Sequence, residues 1–294
     1  MARDGGHPRE HDGAHSTVGL TLLTAGSCRH PGAVARRGAG WAPVEFPSLV
    51  AVVEHSSHGL VLLDTGYTER YRSATRRLPD AVYGRLLPAR IAPGDTALAQ
   101  LERLGFAAGD VGTVVLSHLH ADHVAGLADL PAARVVLDAR AWRRHRTRRG
   151  LGRLRRGYLP PLLPADLPER VVDLADLPLA PEADLHPLPP ARDLLGDGSV
   201  LVVPLPGHTD GHLGLLVRAH RADVLLVGDA AWSSQAIADG ELPHPVARLV
   251  THDWGAYRRT LAALGALARR RPDVLLVPSH CPDGIAAARA ALEA

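Results

Sequence analysis

Between residues 118 and 123 the chain offers four metal-type ligands in six positions: His118, His120, Asp122 and His123. Imidazole nitrogen and carboxylate oxygen together suit zinc or a similar borderline divalent ion. A regular helix or strand cannot aim four such close neighbours at one point. A loop leaving the end of a strand can, because its backbone is free to curl around an ion. Residues 113–117 supply that strand, being short, β-branched and apolar apart from the ends. The chain has 17 His, so a scattered His carries little weight; the spacing and the strand context carry it.

Three further places repeat the pattern of a strand followed by a ligand-type residue. Residues 200–205 run into Pro206-Gly207-His208-Thr209, residues 223–227 into Gly228-Asp229, and residues 274–277 into Pro278-Ser279-His280. Strand ends on one edge of a sheet converge in space, so the seven residues His118, His120, Asp122, His123, His208, Asp229 and His280 become one candidate cluster. Another strand, 60–63, ends in Asp64-Thr65-Gly66.

The elements that position these ends read as a mixed α/β chain. Further strands are expected at 18–25, 49–53, 134–137 and 213–217. Helices are expected from Asp95 or Thr96 to 104, from near Asp122, over 230–238, over 253–270, and at the C-terminus behind an Asp283 cap. Residues 26–47 read as a long loop, a pocket rim or an interface for a homodimer. Asp197-Gly198 marks a tight turn, and His55 and His58 read as turn residues. Residues 1–16, polar and rich in Gly and His, read as a disordered tail. Residues 17–294 are expected to form a single domain with a basic, Pro-rich insertion at about 139–198. Within it, residues 139–157 carry nine Arg. They form either a solvated helical face or a surface that meets an anion.

Composition bounds the rest. The 294 residues are 46% hydrophobic but only 4% aromatic, so the core must be built from Leu, Val and Ala. All 33 basic residues are Arg, a bias that fits base composition better than function. A net charge of +2 makes no case for nucleic acid or a membrane surface. Cys28 and Cys281 form no disulfide framework and lack metal-knuckle spacing; Cys281 reads as a packed, inert thiol. With no apolar leader and no membrane-length apolar run, the expected location is the cytoplasm.

The pieces Leu63-Asp64-Thr65-Gly66, His118-x-His120-x-Asp122-His123, Pro206-Gly207-His208-Thr209-x-Gly211-His212, Gly228-Asp229 and Ser279-His280 resemble the metallo-β-lactamase fold superfamily. The resemblance implies a four-layer αββα sandwich with two zinc ions on one edge; iron, manganese or cobalt would accept the same donors. His118, His120 and His208 would hold the first ion, and Asp122, His123 and His280 the second. Asp229 would bridge them, Asp64 would orient ligands from behind, and His212 would be a structural partner. Two ions held ~3.5–4 Å apart share a water and lower its pKa towards ~7, so a bridging hydroxide is ready to attack. Asp122 or Asp229 could carry the proton to the leaving group.

Within the superfamily the chain is most similar to the N-acyl homoserine lactonase-like, quorum-quenching branch. The likeness lies in Leu194-Leu195-Gly196-Asp197-Gly198-Ser199, the 206–212 turn and Gly228-Asp229-Ala230-Ala231. That branch often has a Tyr three residues after the bridging Asp. Here Trp232 stands there, and an indole N–H donates one hydrogen bond but is no acid. The carbonyl-binding role would then shift to Ser233, Tyr67 or Tyr257. The implied activity is opening of a lactone or cleavage of an ester. The alternatives are a thioesterase meeting an acidic carrier protein at Arg-rich residues 140–156, a phosphodiesterase, or a non-catalytic metal-binding protein.

Overall fold

The second strand shows why this sequence builds four layers. In a strand, successive side chains point to opposite faces. Leu49, Ala51 and Val53 pack into one core, while Val50 and Val52 pack into another on the opposite face. A strand buried on both sides must sit between two layers, and its continuous apolar run says so.

The computed structural model describes residues 17–35 and 40–294. The first sheet contains β1 (Gly19–Pro31), β2 (Pro43–His55), β3 (Gly59–Leu63), β4 (Ala89–Arg90), β5 (Val111–Val115), β6 (Arg134–Leu137) and β7 (Val171–Asp173). Their spatial order is β4-β1-β2-β3-β5-β6-β7. The second sheet contains β8 (Arg192–Asp193), β9 (Val200–Pro204), β10 (Leu213–Arg218), β11 (Asp223–Gly228) and β12 (Val274–Pro278), in the order β12-β11-β10-β9-β8.

The sheets face each other across a core in which Val61, Leu63 and Val115 meet Val202, Leu215 and Leu226. The outer face of the first sheet is covered by Leu101, Leu127 and Trp142. The outer face of the second is covered by Leu261, Leu264 and Leu267, at helical spacing on Trp254–Arg270. The result is the expected αββα sandwich, with a core of Leu, Val and Ala.

The topology gathers the site. β3 and β5 run parallel, as do β11 and β12. β9 and β11 are each antiparallel to β10 and so share a direction. Their C-terminal ends therefore open on one edge, where Ser117 O accepts from Leu213 N at 2.8 Å and ties one sheet to the other.

Several expectations change. The long loop at 26–47 is largely a hairpin: β1 and β2 pair as far as Pro31 opposite Pro43, after a register shift between Thr24 and Ser27. The prolines that made it look irregular sit on a two-strand extension, where few ladder bonds are lost. The strand expected at 113–117 begins earlier and ends at Val115, freeing Leu116 and Ser117 to turn into the ligand loop. The terminal helix is capped by Cys281, with Pro282 in its first turn, and not by Asp283. Pro suits that first position because its missing N–H would be unpaired there anyway. Residues 230–233 precede the helix Ser234–Asp239, which Ser233 caps. Thr96 caps its helix as expected, and Asp253, expected as the first residue of the next long helix, caps Trp254–Arg270 instead. The proposed tail at 1–16 lies outside the described residues, and no helix among those described is long and apolar enough to cross a membrane.

Candidate metal centre

Asp229 follows β11 and presents its two carboxylate oxygens to two different sets of imidazoles. Oδ2 lies 3.3 Å from His208 Nε2 and 3.9 Å from His118 Nε2. Oδ1 lies 3.5 Å from His123 Nε2 and 3.2 Å from His280 Nε2. His120 joins the first set, with Nδ1 3.2 Å from His208 Nε2. Asp122 joins the second, with Oδ2 3.2 Å from His280 Nε2 and 3.4 Å from His123 Nε2. In each set the candidate donor atoms lie within 4.8 Å of one another.

The imidazoles are held from behind, which decides which nitrogen faces inward. Asp64 Oδ2 accepts from His123 Nδ1 at 2.7 Å and from Ser117 Oγ at 2.8 Å. Ser117 Oγ in turn lies 3.0 Å from His118 Nδ1. With the Ser117 proton given to Asp64, His118 Nδ1–H donates to Ser117, and a lone pair is left on His118 Nε2. His280 Nδ1 donates to Pro47 O at 2.6 Å, with the same consequence. Asp64 is fully buried at φ 61°, a left-handed backbone that non-Gly residues seldom adopt. That turn brings its carboxylate under both histidines while Ser117 N donates to Oδ1 at 2.8 Å. Ser48 Oγ fixes the Asp122 carbonyl, and Thr65 Oγ1 fixes that of His123. His212 Nε2 accepts from Asp229 N at 3.0 Å.

Electrostatics divides the cluster. Burial, reinforced by the neighbouring imidazoles, holds His118 well below the ordinary imidazole range. Burial also lowers His120 and, against Asp229, His208. Burial opposes charge on His123 and His280 too, but the facing carboxylates outweigh it and raise both. Those imidazoles hold Asp122 and Asp229 ionised despite their burial.

A divalent-ion pair fits these donors. His118 Nε2, His123 Nε2 and Asp229 Oδ1 are buried without a hydrogen-bond partner among the described residues. A buried acceptor left unpaired costs ~1–3 kcal/mol. Cations on either side of Asp229 would satisfy all three.

The comparisons identify the family and the fold. Residues 43–280 match the model of the metallo-beta-lactamase superfamily. The chain belongs to the metallo-beta-lactamase superfamily. A probable metallo-hydrolase of Mycobacterium tuberculosis is 33% identical over 244 residues, covering 80% of this chain and 74% of that protein. The N-acyl homoserine lactonase AttM of Azorhizobium caulinodans is 30% identical over 190 residues, 63% of this chain and 64% of its own. An N-acyl homoserine lactone hydrolase solved with N-hexanoyl-L-homoserine at its catalytic metal centre shares the fold. Its TM-score is 0.70 at 16% identity, over 92% of this chain and 97% of that one.

The superfamily signature does not assign the residues around the mouth. Trp232 is half-buried, its ring edge-on to His208 at 5.8 Å between centroids. Ser233 is also half-buried, but its hydroxyl oxygen accepts from Ala236 N as the cap of the next helix. Tyr67 is 1% exposed and packs in the core beneath the site, edge-on to Tyr71. The expected contact between Tyr67 and a substrate is therefore corrected. Its burial also pushes the hydroxyl pKa well up. Tyr257 is 2% exposed, stacked on Trp254, and no better placed. Reading the sequence missed Ser117, Ser48 and Pro47. Ser117 could have been found as the hydroxyl directly before the ligand loop; Pro47 acts through its carbonyl, which side-chain identity does not reveal.

Proposed function

We propose that this superfamily hydrolase holds two divalent ions between the sets joined by Asp229, and opens a lactone or cleaves an ester. The observation that carries the reading is the two-sided Asp229 carboxylate, one oxygen towards His118 and His208 and the other towards His123 and His280. When bound, such ions supply a water acidified towards a pKa of ~7 and Lewis acidity for a carbonyl oxygen. His118, His120 and His208 would hold one ion, Asp122, His123 and His280 the other, with Asp229 shared. The chain's own tasks are to orient the imidazoles, through Asp64, Ser117 and Pro47, so that a nitrogen of each faces inward, and to return a proton. Asp122 or Asp229 would pass that proton to the departing alkoxide. Trp232 can donate one hydrogen bond at the mouth. The related lactonases make N-acyl homoserine lactones the first substrates to examine, and zinc the first metal.

The test is to count bound metal per chain and then follow acid release from a panel of lactones, esters, thioesters and a phosphodiester. Two metals per chain and lactone or ester turnover are expected. Fewer than two in metal-replete protein, or unchanged turnover in Asp229→Ala, would sink the reading.

A further inference from the structure

The Arg-rich segment is not uniformly a solvated face. Arg143, Arg146, Arg149 and Arg155 are exposed, as a soluble helix surface requires. Arg148 and Arg156 are not: both are half-buried. Arg156 Nη1 donates to Thr251 O at 3.1 Å, and its own backbone holds the His120 ring. His252, next along from Thr251, donates its N–H to His208 O at 2.8 Å. One peptide step therefore separates this cluster from two of the candidate ligands.

The cluster leaves buried polar atoms unpaired. Arg148 Nε, His145 Nδ1 and His252 Nδ1 are all buried without a hydrogen-bond partner among the described residues, and His145 is only 2% exposed. The carboxylate at hand is Asp210, already taken by a two-pronged ion pair with Arg144 at 2.6 and 2.7 Å; His252 Nε2 reaches it only at 4.0 Å. Burial, then the repulsion of Arg148 and Arg155, lowers the Arg156 pKa. Like charges crowded together and partly withdrawn from water repel one another. Guanidinium groups are the side chains that match planar or tetrahedral oxyanions with paired donors.

We propose that an oxyanion, the phosphate or carboxylate group of a ligand, binds between Arg148 and Arg156 beside His145 and His252. It would supply the missing acceptors. Its position beside the His208 backbone and the His120 ring would set it near the proposed metal centre. The binding stands apart from the hydrolase reading; the further step, that the anion is a tail of the substrate, rests on it.

The experiment titrates inorganic phosphate into the metal-loaded protein by calorimetry, at constant ionic strength set with chloride. Saturable binding is expected. Arg148→Gln and Arg156→Gln should each weaken it about tenfold, the value of one charge-assisted hydrogen bond, while Arg143→Gln leaves it unchanged. Arg148→Lys, which keeps the charge but loses the fork, should fall between. No saturable binding, or binding indifferent to both Gln variants, overturns the proposal and marks an adventitious ion only. A second arm compares an ester carrying a phosphate or carboxylate tail with its neutral isostere. A tenfold loss of the preference for the anionic ester in Arg148→Gln places the anion on the substrate. Arginine-dependent phosphate binding with no such loss identifies a free anion instead. Phosphate binding without hydrolysis of any ester would sink the hydrolase reading alone.

Discussion

His120 and His208 stand between two polar clusters built to opposite rules. On the metal side, carboxylates and imidazoles answer each other: Asp229 meets histidines with both oxygens, Asp122 meets His123 and His280, and Asp64 braces the set. On the arginine side, donors outnumber acceptors, and the carboxylate of Asp210 is taken by Arg144. The difference supports a separate role for each. Buried unpaired acceptors around one carboxylate call for metal ions; buried unpaired donors around guanidinium groups call for an oxyanion.

The largest predicted effects break the metal side. Asp229→Ala removes the acceptor shared by both sets, and His120→Ala opens the first. Each should drop bound metal below two per chain and cut turnover by on the order of 10³-fold or more, worth ~4 kcal/mol of barrier. Metal analysis beside initial rates decides. Full metal occupancy in either variant would mean that the donors are wrongly assigned. Next comes Asp64→Ala, which touches no ion but leaves His123 and Ser117 unbraced. Loss of such a supporting carboxylate typically costs ~10–100-fold in metal affinity. Competition with a chelator measures it, and an unchanged affinity would show that Asp64 is held for folding alone.

Gly157 tests whether the two clusters are mechanically joined. Its φ is 63°, and a Cβ there would lie 2.2 Å from His120 Cδ2. Only Gly fits both demands. Gly157→Ala should push the His120 ring, weaken the first metal site and cost ~1–3 kcal/mol of stability from strain and overpacking. Thermal unfolding with and without metal separates these effects. A variant with normal metal affinity would uncouple the arginine segment from the centre.

The same contrast explains what the sequence made legible. The metal side announced itself because one loop concentrates His118, His120, Asp122 and His123, and the remaining donors each follow a recognisable strand. The α/β layering was legible in strands interspersed with helices, and the four-layer sandwich was implied by the family resemblance; β2, β9 and β11, as apolar runs buried on both faces, are the physical reason for it. The arginine side was visible as composition but not as a site. Nothing in nine Arg over residues 139–157 says that Arg148 and Arg156 turn inward while Arg143 and Arg149 stay in solvent. Arg156 is drawn in by the Thr251 carbonyl, 95 positions away in the chain. The substrate wall was illegible for a related reason. Tyr67 looked available beside Asp64, yet the turn at Asp64 sends it down into the core.

The smallest effect at neutral pH, and the one that sharpens the contrast most, concerns His145. Burial, opposed only in part by Asp210 and aided by His120, Arg148 and His252, pushes its pKa down to about 4. The unfolded chain takes up a proton near pH ~6.5, whereas the folded protein resists until about 4. His145 therefore contributes stability that is complete above the unfolded pKa and is lost as pH falls through that window, by ~3 kcal/mol at the acid end. In metal-free protein, His145→Gln should leave the urea midpoint at pH 7.5 nearly unchanged and flatten its decline between about pH 6.5 and 4 by close to one proton. Phosphate should flatten the same decline in the wild type if protonated His145 donates to the bound oxyanion. An identical acid slope in wild type and variant would mean that His145 is already charged when folded. The arginine side would then hold still more uncompensated positive charge, deepening its contrast with the metal side.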